Sequence, residues 1–429
     1  MPFVKNFPVF LTKGICILGV FYLGGERFMN NTPRGNRLHI ALFGKRNAGK
    51  SSLINALTNQ NIAIVSEVPG TTTDPVYKSM EVLPLGPVVL IDTPGIDDEG
   101  ALGELRVNKT KEVLRKTDIA ILVTTADSKW EEQEEELIRQ FKKRNIPFVV
   151  VVNKCEENDV DNYFFHIKEI SKASVVKASA LTGEGIEKLI EELVKLKKEE
   201  DQKLHLIDGL VKSGDLVVLV TPIDNAAPKG RLILPQQQVL RDILDNGAMA
   251  LVVKETELEQ SLKKLSQSPD IVITDSKVFD KVSKIVPEEI PLTSFSIIYA
   301  RHKGNLDLFY KAVREFENLK DGDYILMAEG CTHHRKDDDI GTVKIPNLIK
   351  KKTGKQLNFH HVSGVSFKED ISKYSMVIHC GACMLNKREM EYRQMLSFEN
   401  GIPMINYGII LAYLNGIIDR AMKPFRNAF

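Results

Sequence analysis

Residues 44–51 read Gly-Lys-Arg-Asn-Ala-Gly-Lys-Ser, a G-x-x-x-x-G-K-S run, and no other stretch of the chain constrains its fold as tightly. Before it, LHIALFG (38–44) is an unbroken apolar run of strand length; after it, KSSLINALTNQ (50–60) has the spacing of an amphipathic helix. A loop of this kind works in one setting. Its glycines let backbone N–H groups approach phosphate oxygens, and the helix that follows turns the positive end of its dipole on the same anion. A buried strand running straight into a helix belongs to a parallel α/β sheet. Further apolar strands are expected at 88–93, 119–125, 147–153 and 174–179, with charged helical stretches such as 130–144 between them. The helix at 185–202 ends in a charged run, which places the first domain boundary near 203–212.

A chain of 429 residues is too long for one ordinary core, and about three domains are expected. The rest of the pattern repeats the strand–helix alternation. Strands at 215–223, 248–254, 270–274 and 291–298 form a second α/β unit, which carries no catalytic constellation. Strands at 323–330, 356–364, 376–380 and 402–408 form a third. The expected organisation is a disordered extension over 1–35, then domains at 36–203, 212–300 and 304–429. Residues 14–25 (GICILGVFYLGG) are apolar but too short to span a bilayer. They fit an extension, or an upstream start codon chosen over Met29, better than a signal peptide. The formal net charge of +1 gives no electrostatic case for nucleic acid or for an acidic membrane. Five cysteines are too few, and odd in number, for a disulfide framework, which points to a reducing, cytoplasmic setting.

The nucleotide is specified further along. In the loop, Lys50 is expected to reach the β and γ phosphates and Ser51 to ligate Mg²⁺, with Gly44, Asn47, Ala48, Gly49 and Ser52 around the phosphates. Asp92-Thr-Pro-Gly95 follows a strand, so Asp92 can hold Mg²⁺ through water and the Gly95 N–H can sense the γ-phosphate. GTTTD (70–74) is a switch segment with Thr72 as the Mg²⁺ ligand. Asn153-Lys-Cys-Glu156 stands where a guanine-reading N-K-x-D is placed, and Ser179-Ala-Leu181 fits the last guanine-side motif. The five motifs, in this order and at strand ends, make a GTPase. They resemble the GTPases related to the bacterial tRNA-modifying and ribosome-assembly families. Two departures stand out. Glu156 replaces Asp and must shift its longer arm to reach guanine, with weaker affinity as one consequence. Ile96 follows Asp-Thr-Pro-Gly, where Ras-like enzymes carry a water-orienting Gln, so slow intrinsic hydrolysis is expected. The likeness to the tRNA-modifying type implies a K⁺ ion held at Asn47.

The cysteines pose a separate question. Cys331 and His333 lie just past one expected strand, Cys380 ends another, and Cys383 precedes the helical run 386–400. Ligands of open α/β sheets gather beyond the carboxyl ends of strands, so neighbouring strands would bring the three thiols together. Three chemistries fit. A thioredoxin-like pair uses only Cys380 and Cys383. Tetrahedral zinc adds Cys331 and a histidine. A 4Fe–4S cluster on three thiolates leaves a weak or exchangeable fourth ligand, and this reading is favoured. Cys155 and Cys16 are not candidates.

C-x-H (331–333), followed far downstream by H-C-x-x-C (379–383) behind a GTPase domain, resembles the FeFe-hydrogenase maturation GTPase family. The likeness covers roughly 38–425 and includes GTTTDPVYKSM, PIDNAAPKGRLILPQ and IPMINYG. It implies an α/β chain of three units: a P-loop GTPase domain, a middle parallel-sheet domain that makes a homodimer, and a C-terminal domain holding a 4Fe–4S cluster on Cys331, Cys380 and Cys383. It also implies a scaffold or carrier for a transient di-iron subcluster, built with two radical-SAM maturation enzymes and passed to apo FeFe-hydrogenase, with GTP and GDP as switch ligands. The fourth cluster ligand is then Asp338 or, second, His333. Members of the family can carry Glu at the Asp338 position. His379 either ligates or tunes the site from behind, and His334, His360 and His361 are expected not to ligate. The alternative function is an RNA-linked GTPase, for tRNA modification or ribosome assembly, with a zinc or iron–sulfur module. A redox enzyme using Cys380 and Cys383 is a third.

Overall fold

Three parallel-type sheets follow one another along the chain, as the alternation of apolar strands and charged helices requires. The computed structural model describes residues 32–58, 74–96, 101–156, 160–200, 205–222, 232–330, 339–364, 367 and 370–428. The described elements all lie within one unit, Thr32–Phe429.

The first sheet holds β1 (Leu38–Phe43), β2 (Val76–Val82), β3 (Gly86–Asp92), β4 (Ile119–Thr125), β5 (Phe148–Asn153) and β6 (Ser174–Lys177) in the order β2-β3-β1-β4-β5-β6. Helices α1 (Lys50–Thr58), α2 (Ala101–Lys116), α3 (Glu132–Lys143), α4 (Asp161–Ser171) and α5 (Ile186–Glu200) separate the strands. Alternate residues of the central strands feed opposite cores. Ile40 and Leu42 face one layer with Leu53 of α1 and Leu189 of α5. Ala41 and Phe43 face the other with Val113 of α2 and Phe141 of α3. Strand β2 was not foreseen. Its alternation is half polar, and a tight turn at 83–85 folds it antiparallel onto β3.

The second sheet runs β10-β9-β7-β8, with β7 (Leu216–Val220), β8 (Met249–Val253), β9 (Ile271–Thr274) and β10 (Leu292–Ser294), all parallel. Its helices are α6 (Leu234–Asp245), α7 (Leu258–Lys264), α8 (Phe279–Ile285) and α9 (Phe295–Lys303). The third runs β12-β11-β13-β14, with β11 (Tyr324–Glu329), β12 (Asn358–Ser363), β13 (Met376–His379) and β14 (Met404–Asn406), again all parallel. Helices α10 (Leu306–Ala312), α11 (Ile345–Thr353), α12 (Lys387–Glu399), α13 (Tyr407–Leu414) and α14 (Ile418–Met422) complete it. A single apolar core runs through both sheets, from Leu206 to Phe425.

Two expected strands are shorter than their apolar runs. In 291–298, strand geometry stops at Ser294, whose hydroxyl accepts from the Ile297 N–H at 3.3 Å and caps α9. In 402–408 it stops at Asn406, whose side chain accepts from the Gly408 N–H at 2.7 Å and starts α13. Among the described residues no helix is long and apolar enough to cross a membrane.

Candidate functional site

Two places in the fold gather chemistry, and both are switch points. In the first sheet the chain leaves β1 for β3 on one side and returns to β4 on the other; in the third it leaves β11 for β12 and returns to β13. The crevice beyond the carboxyl ends of such strand pairs is where open α/β sheets bind ligands.

At the β1–β4 crevice, the loop before α1 has the backbone that its glycines permit. Gly44 has φ +147° and Gly49 φ +85°, and a Cβ on Gly49 would lie 2.2 Å from the Asn153 amide nitrogen. Asn47 is left-handed at φ 58°. The Lys50 ammonium folds across the loop and donates to Gly44 O at 2.9 Å and Lys45 O at 2.8 Å. Ser51 Oγ donates to the Asp92 carboxylate, so the hydroxyl and carboxylate expected to serve one Mg²⁺ are already in contact. Thr93 Oγ1 donates to Leu42 O at 2.6 Å and fixes the start of the Thr93–Gly95 segment. Ala48 is buried and Ser52 half-buried.

The guanine-side residues converge on the same loop through one buried amide. Asn153 Nδ2 donates to Ala48 O at 2.9 Å, and its Oδ1 accepts from the Ala180 N–H at 3.1 Å. Ser179 closes its own turn, with Oγ accepting from the Thr182 N–H at 2.9 Å. Lys154 has φ 60°, and Glu156 is exposed beside it. A cavity of about 210 Å³ opens between Lys45, Arg46, Asn47, Thr125, Asp127 and Lys154. Thr72 lies outside the described residues.

At the β11–β13 crevice, Cys380 follows β13 and its N–H donates to Ala328 O of β11 at 2.9 Å. The thiol collects two backbone donors, the Gly330 N–H at 3.1 Å and the Ala382 N–H at 3.3 Å. Ala382 turns the chain at φ 54° and leads into Cys383. Burial pushes the Cys383 thiol up, while the Lys303 ammonium pulls it the other way. Lys303, at the end of α9, donates to Ala382 O at 3.1 Å, to Cys383 O at 3.3 Å and to Leu385 O. Burial lowers its pKa to about 8, with the Cys383 and Cys380 thiols acting the other way.

Strands β11 and β13 are neighbours, so the chain leading into Cys331 abuts the Cys380 thiol at Gly330. Cys331, His333, His334 and Asp338 lie outside the described residues, as does Cys16. Among the described residues no group of three or more His, Cys, Asp and Glu side chains could hold a metal. The described part of the site suits a thiolate-held cluster. It presents two thiols on one turn, peptide N–H groups aimed at sulfur, and a buried cation beside them.

His379 is fully buried and committed elsewhere. Its Nε2 stands 3.1 Å from Arg393 Nη1, and a guanidinium can only donate, so Nε2 accepts. Nδ1 then carries the proton and donates to Cys380 O at 2.9 Å. Burial, and after it the Arg393 charge, pushes the His379 pKa down to about 3. Both ring nitrogens are occupied, so in this arrangement the histidine braces the cysteine turn from behind. His360 packs between Tyr324 and Tyr374 and stands away from metal chemistry. Sequence reasoning missed Lys303, the reach of Arg393 to His379 and Gly364, and the bonds of Asn386 to Lys116 and Asp118, all set by tertiary packing.

The cysteine turn also meets the first sheet, at the edge opposite the nucleotide crevice, where α2 ends and β4 begins. The Asn386 amide donates to Lys116 O, at the end of α2, at 2.7 Å and to Asp118 Oδ1 at 3.4 Å. Arg388 donates to Arg144 O at 3.3 Å and Asn145 O at 3.1 Å, with its Nε 3.6 Å from Asp118. The Arg115 guanidinium lies 4.3 Å over the Tyr392 ring. Gly35 packs so close to the turn that a Cβ there would lie 2.7 Å from Leu385 O.

Comparison with known proteins separates the parts. Residues 39–154 match the family described as 50S ribosome-binding GTPase. The tRNA modification GTPase MnmE of Prochlorococcus marinus (strain NATL1A) is 36% identical over 190 residues, 43% of this chain and 40% of its own. GTPase Der of Campylobacter jejuni (strain 81116) is 28% identical over 244 residues, 51% of this chain and 53% of its own. The chain thus spans about half, or less, of the length of these curated relatives. Among solved structures, Aquifex aeolicus Era bound to GDP and aluminium fluoride is 21% identical with a TM-score of 0.34, covering 54% of this chain and 98% of that one. The G domain of the T. maritima FeoB iron transporter is 26% identical with a TM-score of 0.29, covering 38% and 99%. Beyond the GTPase domain, residues 206–304 match the Hydrogen maturase F dimerization domain and residues 307–424 the Hydrogen maturase F tetramerization domain. With both of these specific domains in tandem behind a GTPase domain, the chain belongs to the hydrogen maturase F family.

Proposed function

We propose that this chain is a GTP-hydrolysing scaffold and carrier for the di-iron subcluster of FeFe-hydrogenase, which it receives with the help of two radical-SAM enzymes and delivers to apo-hydrogenase. In this reading Cys331, Cys380 and Cys383 hold a resident 4Fe–4S cluster, and Asp338 or His333 supplies the fourth, exchangeable ligand. Three thiolates leave one iron with a replaceable ligand, a place where a second metal fragment can attach. The observation that carries the reading is the Gly330 N–H on the Cys380 thiol at the β11–β13 switch point. It sets the approach to Cys331 against the Cys380–Cys383 turn. The engaged nitrogens of His379 leave the open position to a ligand from the 331–338 segment.

The GTPase part acts as the timer. Ser51 and Thr72 hold Mg²⁺, Asp92 reaches it through water, and K⁺ at Asn47 supplies charge that an arginine finger gives elsewhere. The chain's own support for timing is the contact of α2, which follows the Asp92–Gly95 segment, with Asn386 just after the cysteine turn. The working setting is cytoplasmic, as a homodimer or larger assembly of copies.

The decisive experiment is anaerobic purification with iron, sulfide and zinc analysis and EPR, on wild type and Cys383→Ser. About four irons and four sulfides per chain, lost in the variant, are expected for a 4Fe–4S site; zinc without sulfide overturns the reading. Equal GTP hydrolysis in K⁺ and Na⁺ buffers would remove the potassium ion. Equal partner affinity of the GTP- and GDP-bound forms would remove the timer.

A further inference from the structure

Lys303 is the buried cation beside the cysteine turn, and its role there goes beyond holding the backbone. It is 2% exposed, yet no carboxylate pairs with its ammonium among the described residues. Its three acceptors, the carbonyls of Ala382, Cys383 and Leu385, satisfy its donors without neutralising its charge. Leaving a buried ammonium uncompensated is costly, so an anion is expected beside it. Asp118 is a carboxylate whose charge reaches Lys303, but it is engaged elsewhere. Its Oδ2 accepts from the His39 N–H at 2.8 Å, while Oδ1 faces Asn386 and Arg388. Among the described residues, the groups left are the Tyr299 ring, 5.7 Å from the ammonium and uncharged, and the thiols of the turn that Lys303 itself holds.

A lysine in the last turn of a helix is ordinarily explained by the negative end of the helix dipole. That account fails here. All three bonds of the ammonium go to the cysteine turn, about eighty residues downstream, and none goes to the open carbonyls of α9. The ammonium therefore does two jobs. It sets the path of the backbone from Ala382 to Leu385, and it places a fixed positive charge where sulfur ligands gather negative charge.

We infer that Lys303 is the positioning residue and buried counter-charge of the Cys380–Cys383 turn, matched to an anionic thiolate-held metal centre. This rests on the cluster reading above. Three thiolates on a 4Fe–4S core give a net negative centre, and each added electron makes it more so. A cation fixed beside it favours the reduced form, so its removal lowers the reduction potential.

Three variants separate charge from hydrogen bonding. Lys303→Met removes both, Lys303→Gln keeps donors without charge, and Lys303→Arg keeps both. The full chain is reconstituted anaerobically with iron and sulfide, and the cluster is titrated reductively with EPR detection. At the wild-type midpoint, Lys303→Gln and Lys303→Met are expected to show about a tenfold lower ratio of reduced to oxidised cluster, 59 mV for one electron, while Lys303→Arg stays near wild type. A purely structural lysine predicts instead that Gln behaves as Arg, and equal midpoints for wild type, Gln and Arg overturn the inference. Should Lys303→Met fail to fold, the Gln–Arg pair still decides. Wild type that holds no iron and sulfide refutes the cluster reading and the counter-charge together. Wild type that holds a cluster whose potential ignores the Gln substitution refutes the counter-charge alone.

Discussion

Arg393 is the largest fully buried side chain of the described residues, and its removal should be felt in a particular way. The guanidinium donates from Nε to Glu389 at 2.9 Å and from Nη2 to Gly364 O at 2.8 Å, while Nη1 faces His379; its plane lies 4.9 Å over Phe367. Glu389 is 5% exposed, and its second oxygen has no hydrogen-bond partner among the described residues. Arg393→Met keeps most of the volume but strands a buried carboxylate, a carbonyl and an imidazole nitrogen. Breaking a buried pair from one side costs roughly 3–5 kcal/mol. Exchange of amides in β13 and α12 should then rise about 10²- to 10⁴-fold, as 1.4 kcal/mol is a factor of ten. The assay is native-state hydrogen exchange read by mass spectrometry, which isolates this region in a multidomain chain where one unfolding transition is not defined. Adding Glu389→Met should recover part of the loss, since an apolar pair is cheaper than a lone buried charge. A double variant as unprotected as Arg393→Met would refute the reasoning, because the stranded carboxylate would then contribute nothing.

Asn153→Ala leaves Ala48 O and the Ala180 N–H unpaired, at about 1 kcal/mol or more each, so affinity for GTP and GDP should fall together by roughly 10- to 100-fold in calorimetry; unchanged affinity would show that the amide does not organise the site. Strand β8 is an open sheet edge with Met249 51% and Val252 39% exposed, within the segment matching a dimerization domain. Lysines at both positions should raise the dimer dissociation constant at least about tenfold in sedimentation, and an unchanged mass distribution would move the interface elsewhere. Burial, with Glu112 adding to it, pushes the Tyr77 phenol up to about 12. The unfolded phenol ionises near 10, so the folded state should lose roughly 2–3 kcal/mol as pH rises from 10 to 12, a loss absent in Tyr77→Phe. A 295 nm difference titration centred near pH 10 would contradict that.

Legibility in the sequence followed the range of the interactions. Strands such as Ile119–Thr125 are buried on both faces, and their unbroken apolar runs were readable without any tertiary knowledge. The phosphate loop was readable because its partners are backbone groups within a few residues, such as Gly44 O and Lys45 O for Lys50. The runs at 291–298 and 402–408 misled because an apolar stretch alone does not separate a strand from a buried helix. The local signal was there, in the capping side chains of Ser294 and Asn406. Strand β2 escaped because its exposed positions break the apolar pattern. Asn386 shows locally as the cap of α12, but nothing local could have found Lys303 or the Asn386 bond to Lys116, which span 79 and 270 residues of chain.

The contact between the cysteine turn and the end of α2 also limits what GTP can do here. Helix α2 has 16 residues and is therefore about 24 Å long, enough to carry a displacement from the Asp92–Gly95 side to Lys116. There it meets Asn386, which caps α12 by accepting from the Glu389 N–H at 3.2 Å and so sits between the helix and the cysteine turn. Among the described residues, the contacts that would sense the displacement include the Asn386 bonds, the Arg388 bonds to two carbonyls and its pairing with Asp118, and the Arg115–Tyr392 stack. At net contributions of about 0.5–1.5 kcal/mol per bond, these contacts together contribute a few kcal/mol. A nucleotide acting through this joint can bias the turn by the 1–3 kcal/mol, or 5- to 150-fold, typical of coupled sites. That is far too little to break metal–thiolate bonds, and it is enough to shift how readily an exchangeable ligand lets go. On the proposed cluster reading, a coupling of that size would let GTP time exchange at an open position while the cysteines stay bound.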